Sequence, residues 1–112
     1  MAYPKLLYSD ADGKHAVLLD RVTTTIGRLP DQDVVVRDHC VSRAHAMIVR
    51  EDDTYSIVDR SSTHGTFRNG VRVKRAVLEP GDWLQLGSPV DCTFENRSTS
   101  VACRYLVALI AH

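Results

Sequence analysis

Residues 61–70 read SSTHGTFRNG and are followed by Val71–Val73. The Asn69-Gly70 pair lies between two short runs that contain apolar residues, Thr66-Phe67 before it and Val71–Val73 after it. Asn-Gly in this position is a strong signal for a two-residue β-hairpin turn, because both residues readily adopt positive φ. This stretch therefore predicts an antiparallel pair of strands. It leaves open whether the hydroxyl-rich first half shapes a loop or binds a ligand.

Short apolar runs separated by turn signals continue on both sides of the predicted hairpin. Short runs rich in Val, Ile, Leu, Thr and Tyr alternate with turn signals such as Pro80-Gly81. Several runs have a period of two, so that Leu84 and Leu86 oppose Trp83 and Gln85. No window of about 12 residues before the C-terminus reads as an amphipathic helix. The pattern predicts an all-β fold, either a sandwich or a barrel.

The C-terminal run CRYLVALIA, residues 103–111, is apolar on both faces of a strand. Periodicity alone does not distinguish a buried strand from the start of a helix. A closing strand is favoured, because an all-β core would otherwise lack a partner for the first strand. With 112 residues and no internal repeat, linker or low-complexity segment, the chain is interpreted as one domain spanning residues 1–112.

The composition excludes several classes of protein. Fourteen basic residues balance fourteen acidic ones, so global charge gives no reason to expect nucleic acid or an anionic membrane. No apolar run approaches the ~20 residues of a membrane span, and the N-terminus predicts no signal peptide. Cys40, Cys92 and Cys103 are odd in number and lack a C-x-x-C pair, which favours reduced thiols in an intracellular protein.

Polar residues that a strand core would not use cluster in three segments between the predicted strands, residues 27–33, 37–45 and 60–65. Alternate loops of a sandwich emerge at the same end, so these segments can form one surface. Arginine forks, hydroxyls and loop amides together suit a phosphate dianion. The residues concerned are Arg28, Arg37, Arg43, Arg60, Ser42, Ser61, Ser62 and Thr63.

Three motifs in these segments resemble those of a known family. They are IGR at residues 26–28, VSRAH at residues 41–45 and DRSSTHGTFRNG at residues 59–70. In this order and at this spacing the chain resembles a forkhead-associated (FHA) domain, whose pattern runs G-R, S-x-x-H, S-x-N-G-T and a second N-G. The resemblance covers most of the chain, from residue 5 to residue 95.

The resemblance implies a two-sheet β-sandwich of about eleven mostly antiparallel strands, with its core in residues 5–95 and a closing strand in residues 103–111. It implies a non-catalytic module that needs no cofactor or metal and recognises phosphothreonine through loops at one end. The implied partner is a phosphothreonine-containing protein, such as a Ser/Thr kinase substrate, and neither nucleic acid nor a membrane. The oligomeric state is not predicted.

The resemblance also implies roles for individual residues. Arg28 and Ser42 would hold the phosphate, Arg43 would add charge, and Thr63 would contribute a hydroxyl or an amide. Gly27, His45 and Gly65 would support the site structurally.

His64 departs from the family pattern, which usually has asparagine at this position. An asparagine amide both donates to and accepts from a bound peptide backbone, whereas a neutral imidazole has one donor and one acceptor on a rigid ring. His64 is therefore predicted to contact the peptide while holding its backbone less completely.

Three other interpretations compete with phosphothreonine binding. Ser42, His45 and Asp59 are the residue types of a hydrolase triad, but no G-x-S-x-G elbow is present. His39, Cys40, His45 and His64 could bind zinc, but their spacing matches no common structural pattern. The third is a protein-interaction or self-association module on the same scaffold that does not require phosphate. The feature that discriminates against it is the intact pair of Arg28 and Ser42, which a phosphate-independent domain has no reason to keep together.

Overall fold

The computed structural model describes residues 3–10, 13–87 and 107–110. These residues form eleven strands in two sheets, and no helix occurs among them. The strands are β1 (Lys5–Asp10), β2 (Gly13–Leu18), β3 (Thr23–Gly27), β4 (Val34–Val35), β5 (Ala46–Glu51), β6 (Thr54–Asp59), β7 (Thr66–Arg68), β8 (Val71–Val73), β9 (Arg75–Val77), β10 (Trp83–Leu86) and β11 (Val107–Ile110).

One sheet has six strands in the order β2-β1-β11-β10-β7-β8, and the other has five in the order β4-β3-β5-β6-β9. All pairings are antiparallel except that of β3 with β4. Buried side chains from both sheets pack into one hydrophobic core. The prediction of an all-β sandwich of about eleven mostly antiparallel strands is confirmed.

The core follows from the alternation of side chains along each strand. Leu84 and Leu86 of β10 are almost fully buried, as are Ile48 of β5 and Ile57 of β6. Trp83, on the opposite face of β10, is 39% exposed. Gln85 shares that outer face but is only 4% exposed, so alternation alone did not predict its burial.

The predicted hairpin at Asn69-Gly70 is confirmed. Both residues have positive φ, 51° and 86°, as a two-residue hairpin turn requires. Strands β7 and β8 pair antiparallel on either side of it, with Phe67 opposite Arg72. Strand β8 is thereby placed at the edge of the six-stranded sheet, beside the polar segment that precedes β7.

Strand register brings the three polar segments to one end of the sandwich. Ala46 at the start of β5 pairs with Ile26 near the end of β3 and with Asp59 at the end of β6. The connections entering β5 and leaving β3 and β6 therefore emerge together. They are called here loop 1 (residues 28–33), loop 2 (residues 36–45) and loop 3 (residues 60–65).

Strand β11 lies between β1 and β10, with Leu6 opposite Leu109 and Leu84 opposite Val107. It falls within the run of residues 103–111 for which a closing strand was predicted, and the rest of that run lies outside the described residues. Over the part of the chain that the structure describes, no helix is long and apolar enough to cross a membrane.

Candidate functional site

Gly27 brings loops 1 and 2 into contact. A Cβ added at Gly27 would lie 2.2 Å from the carbonyl oxygen of Arg43 and 2.9 Å from its carbonyl carbon. Two backbone hydrogen bonds continue the contact: Arg28 N–H donates to Ser42 O at 3.1 Å, and Leu29 N–H donates to Arg43 O at 3.3 Å. The absence of a side chain at residue 27 therefore allows Arg28 to lie directly beside Ser42.

His45 connects loop 2 to loop 3 from within the core. Its side chain is fully buried. Its Nδ1 accepts a hydrogen bond from Ser42 N–H at 3.0 Å, and its Nε2 lies 2.8 Å from Gly65 O. An amide can only donate and a carbonyl can only accept, so the ring must be neutral with its proton on Nε2. Burial lowers the pKa of His45, although its hydrogen bond to Gly65 opposes this.

Ser42 joins loops 2 and 3 at the surface. Its Oγ accepts a hydrogen bond from Thr63 N–H at 2.9 Å. With a lone pair occupied by that amide, the hydroxyl proton remains available for an incoming acceptor. The Thr63 amide is already used in this bond, so Thr63 can offer a ligand its exposed hydroxyl.

Asp59 holds the shape of loop 3. Its carboxylate accepts hydrogen bonds from the amide and hydroxyl of Ser62 and, at 2.7 Å, from the hydroxyl of Thr66. The Ser62 hydroxyl also accepts from Gly65 N–H at 3.0 Å. Burial raises the pKa of Asp59, but these hydrogen bonds outweigh it and leave the pKa below its usual value. Ser62 is therefore committed to the loop and does not face a ligand.

Two residues of loop 3 have a positive φ. Gly65 has φ of +93°, a left-handed conformation that L side chains rarely adopt. Ser61 adopts φ of 56° without being glycine, which makes it a locally strained residue beside the site.

Among the described residues, the arginines at this end of the sandwich have no acidic partner. Elsewhere in the described residues, Arg21, Arg68 and Arg75 each bind a carboxylate, at 3.2, 2.8 and 2.7 Å, and Arg50 lies over the ring of Tyr3. The remaining described arginines have no ion pair in that part of the chain, and they are Arg28, Arg37, Arg43, Arg60 and Arg72. Among the described residues, the arginines without an ion pair therefore lie at or beside the three loops.

The predicted site residues fall into two groups. Arg28, Arg43 and Thr63 are exposed, and Ser42 and His64 are half-buried. The Arg28 guanidinium is partly anchored, because its Nε donates to Val41 O at 3.1 Å. Gly27, His45 and Gly65 are buried beneath them. The ligand-binding roles of the first group remain predictions.

The arrangement does not form a hydrolase triad. Both ring nitrogens of His45 bind backbone groups, Ser42 N–H and Gly65 O. The Ser42 hydroxyl is bound by the Thr63 amide. His45 therefore cannot act as a base towards the Ser42 hydroxyl in this geometry.

The four residues considered for zinc do not converge. Among the described residues, a group of possible ligand atoms within 4.8 Å of one another comprises Asp38, His39 and Cys40, without His45 or His64. Cys40 is disulfide-bonded, so its sulfur is not a thiolate and the prediction of a reduced thiol is wrong for this residue. Cys92 and Cys103 lie outside the described residues.

Sequence reasoning missed the structural function of Asp59 and Ser62. The signal was present, since an Asp three residues before a Ser is a common side-chain-to-backbone turn pattern. It also missed Arg72, whose guanidinium lies over Gly65. A Cβ at Gly65 would be 2.7 Å from Arg72 Nε and 2.9 Å from its Cζ.

Known proteins resemble this chain in sequence and in fold. A family model described as the FHA domain matches residues 24–87, more than half of the chain. The oxoglutarate dehydrogenase inhibitor of Corynebacterium diphtheriae is 44% identical over 70 residues, which cover 62% of this chain and 49% of that protein. The chain thus spans about half the length of this curated relative.

Two solved structures extend the likeness to the whole sandwich. The crystal structure of the Slr1951 protein from Synechocystis has a TM-score of 0.78 and 27% identity, covering 100% of this chain and 98% of that one. Mycobacterium tuberculosis EmbR, solved in complex with a low-affinity phosphopeptide, has a TM-score of 0.72 and 25% identity, covering 95% of this chain and 24% of that one.

Proposed function

Because this chain belongs to the FHA domain family, we propose that it is a non-catalytic module, with residues 1–112 as one domain, that binds phosphothreonine in partner proteins. The observation that carries the proposal is the surface where Ser42 and Thr63 meet across two loops, beside arginines without acidic partners among the described residues. The phosphopeptide bound to EmbR, a protein that shares the fold, is consistent with it.

The proposed contacts follow from donor chemistry. The guanidinium of Arg28, an exposed residue, binds the phosphate through its remaining N–H groups, and the Ser42 hydroxyl donates to a second phosphate oxygen. Thr63 donates through its hydroxyl, since its amide is bound to Ser42. Arg43 adds charge from the same loop as Ser42. Each charge-assisted hydrogen bond contributes about 1.5–3 kcal/mol, so a few of them suit a reversible reader of phosphorylation.

The absence of catalysis is part of the proposal. Catalysis by acyl transfer needs a nucleophile within reach of a free base, and His45 has no free ring nitrogen. Phosphate binding needs only preformed donors, which loops 1 to 3 provide. The partner is proposed to be a phosphorylated protein such as a Ser/Thr kinase substrate.

A second candidate function is phosphate-independent protein interaction. It is favoured by the exposed apolar side chains of the six-stranded sheet, since Trp83 is 39% and Val71 is 65% exposed. Such residues are enriched in protein interfaces when they form a patch. This candidate predicts equal binding of phosphorylated and unphosphorylated partners.

Titration of matched peptides tests the two functions. We expect phosphothreonine peptides from a degenerate library to bind at least about 30-fold more tightly than the same peptides with threonine, because the charge-assisted bonds are lost. Arg28→Gln should weaken binding by about 10-fold, while Arg50→Gln, near the end of β5 that lies away from the three loops, should not. Equal affinity for both peptide sets, measured by calorimetry, would contradict the proposal.

Substitutions at His64 test its predicted contact with the peptide backbone. We expect His64→Asn to keep or raise the affinity for a phosphothreonine peptide, because an amide donates and accepts simultaneously. His64→Ala should lower affinity by about threefold to tenfold, as loss of a hydrogen bond of about 1 kcal/mol implies. Unchanged affinity in both variants would show that His64 does not contact the peptide.

A further inference from the structure

The guanidinium of Arg72 lies against loop 3, where it could contact a bound ligand. Its Nε, Cζ and Nη2 lie 2.7, 2.9 and 3.2 Å from the position that a Cβ of residue 65 would occupy. The guanidinium therefore rests on the loop itself, where Gly65 leaves room for it. The Arg72 residue as a whole is exposed.

The hairpin that carries Arg72 is hydrogen-bonded to the start of β10. Asn69 N–H donates to Trp83 O at 2.9 Å, and Trp83 N–H donates to Asn69 Oδ1 at 3.0 Å. Asp82 accepts from Asn69 Nδ2 at 3.0 Å and from Arg68 Nε at 2.8 Å. These bonds fix the hairpin relative to β10, so the position of Arg72 does not depend on loop 3 alone.

The charge of Arg72 is not used within the described part of the protein. Arg68, on the neighbouring strand, binds Asp82, whereas Arg72 has no carboxylate partner among the described residues. Covering Gly65 requires only the bulk of the side chain. A guanidinium in that position offers in addition a planar fork that matches a carboxylate.

Chain geometry limits how far Arg72 can be from the phosphate position. Thr63 and Gly65 are two residues apart, so their Cα atoms are separated by at most about 7.6 Å. The Arg72 head group is therefore within about 12 Å of the Thr63 Cα. An extended peptide advances about 3.3 Å per residue, so about four residues span that distance.

We propose that Arg72 is a specificity-determining residue, which binds an acidic side chain located within about four residues of the phosphothreonine. This inference rests on the proposed function. It narrows the ligand class from phosphothreonine peptides in general to peptides that also carry a carboxylate at the position that passes Gly65. Three observations support this contact. The Arg72 head group has no carboxylate partner among the described residues, it lies on loop 3, and it is within about 12 Å of the Thr63 Cα.

A peptide series tests the inference. Each of four positions on either side of the phosphothreonine carries Asp in one peptide, Asn in a second and Lys in a third. At one position, Asp should give about fivefold tighter binding than Asn, the size of a partly exposed ion pair. The preference should shrink as the salt concentration is raised.

Variants of Arg72 test whether the preference for Asp depends on this residue. Arg72→Gln should abolish the discrimination between Asp and Asn while phosphothreonine is still preferred to threonine. Arg72→Glu should reverse it, so that Lys binds better than Asp. The matched controls Arg50→Gln and Arg50→Glu remove or invert a charge near the end of β5 that lies away from the three loops, where Arg50 pairs with Tyr55, and they should leave the preference unchanged.

The outcomes separate the two proposals. If phosphothreonine peptides bind but no position prefers Asp, or if the preference survives in Arg72→Gln, the inference is wrong and the proposed function stands. If phosphorylation does not affect binding in any peptide, the proposed function fails and the inference fails with it.

Discussion

Gly27→Ala is expected to abolish measurable phosphothreonine binding, with a loss of more than about 100-fold, and to lower the free energy of unfolding by about 3 kcal/mol. The added Cβ would meet Arg43 O at 2.2 Å. The neighbouring atom belongs to the backbone and cannot rotate away as a side chain could. Loops 1 and 2 must therefore move apart at the point where Arg28 N–H binds Ser42 O.

The effect on binding follows from that separation. Arg28 and Ser42 are proposed to bind the same phosphate, so a displacement on the order of 1 Å misaligns both groups at once. Thr63 would be displaced as well, because its amide binds the Ser42 hydroxyl. Loss of affinity should therefore exceed that of Arg28→Gln, which removes a single partner.

Chemical denaturation and peptide titration measure the two effects. Gly81→Ala is the matched control, since among the described residues no atom beyond Gly81 and its two chain neighbours lies within 4 Å of the Cβ position, and only its φ of +91° is unfavourable. It should lose about 1 kcal/mol and keep its affinity. A Gly27→Ala protein with normal stability and affinity would mean that the contact between Gly27 and Arg43 relaxes easily.

The parts of the fold that were predicted from sequence depend on local rules. The Asn69-Gly70 turn and the alternation of Leu84 with Trp83 need only φ preferences and the period of a strand. The burial of Gln85 could not be predicted in this way. It depends on which residues cover the outer face of β10, and the alternation of side chains along one strand carries no information about them. Sheet order, with β11 between β1 and β10, likewise depends on residues distant in sequence.

In the candidate site, too, local features were predicted from the sequence and contacts between distant residues were not. The motifs placed Arg28, Ser42 and Thr63 in separate segments, and the register of β3, β5 and β6 brings those segments to one end. The engagement of the Thr63 amide by Ser42 could not be predicted, because it joins residues 21 apart in sequence. The position of Arg72 over Gly65 depends on both the hairpin and the left-handed backbone of loop 3.

His45 should make the protein sensitive to acid, and replacing it should be strongly destabilising. His45→Ala leaves Ser42 N–H and Gly65 O without their partner in a buried site. Each unsatisfied group costs about 1–3 kcal/mol, and the cavity adds to this. The free energy of unfolding should fall by about 3–5 kcal/mol, with binding lost because loops 2 and 3 separate.

The pH dependence has a defined sign. Burial lowers the pKa of His45 below its ordinary value of 6.5 in the folded protein, despite the opposing hydrogen bond to Gly65 and the charge of Asp59. Below pH 6.5 the unfolded chain therefore binds more protons at this residue than the folded protein does. The stability contributed by neutral His45 is complete above that pH and is lost as the pH falls towards the folded-state pKa. The lowered pKa values of Asp59 and Asp82 act in the same direction, but only near and below 3.8.

Denaturation curves between pH 5 and pH 7.5 test this prediction (about the range in which an ordinary histidine titrates). Stability should decrease on acidification, and phosphopeptide affinity should decrease with it, since protonated Nδ1 repels Ser42 N–H instead of accepting from it. His45→Gln should be less stable at every pH but show a flatter slope, because it carries no titrating ring. The control His39→Gln alters an exposed histidine and should retain the slope. An unchanged slope in His45→Gln would contradict the assignment, since some other group would then take up the proton that destabilises the contact between loops 2 and 3.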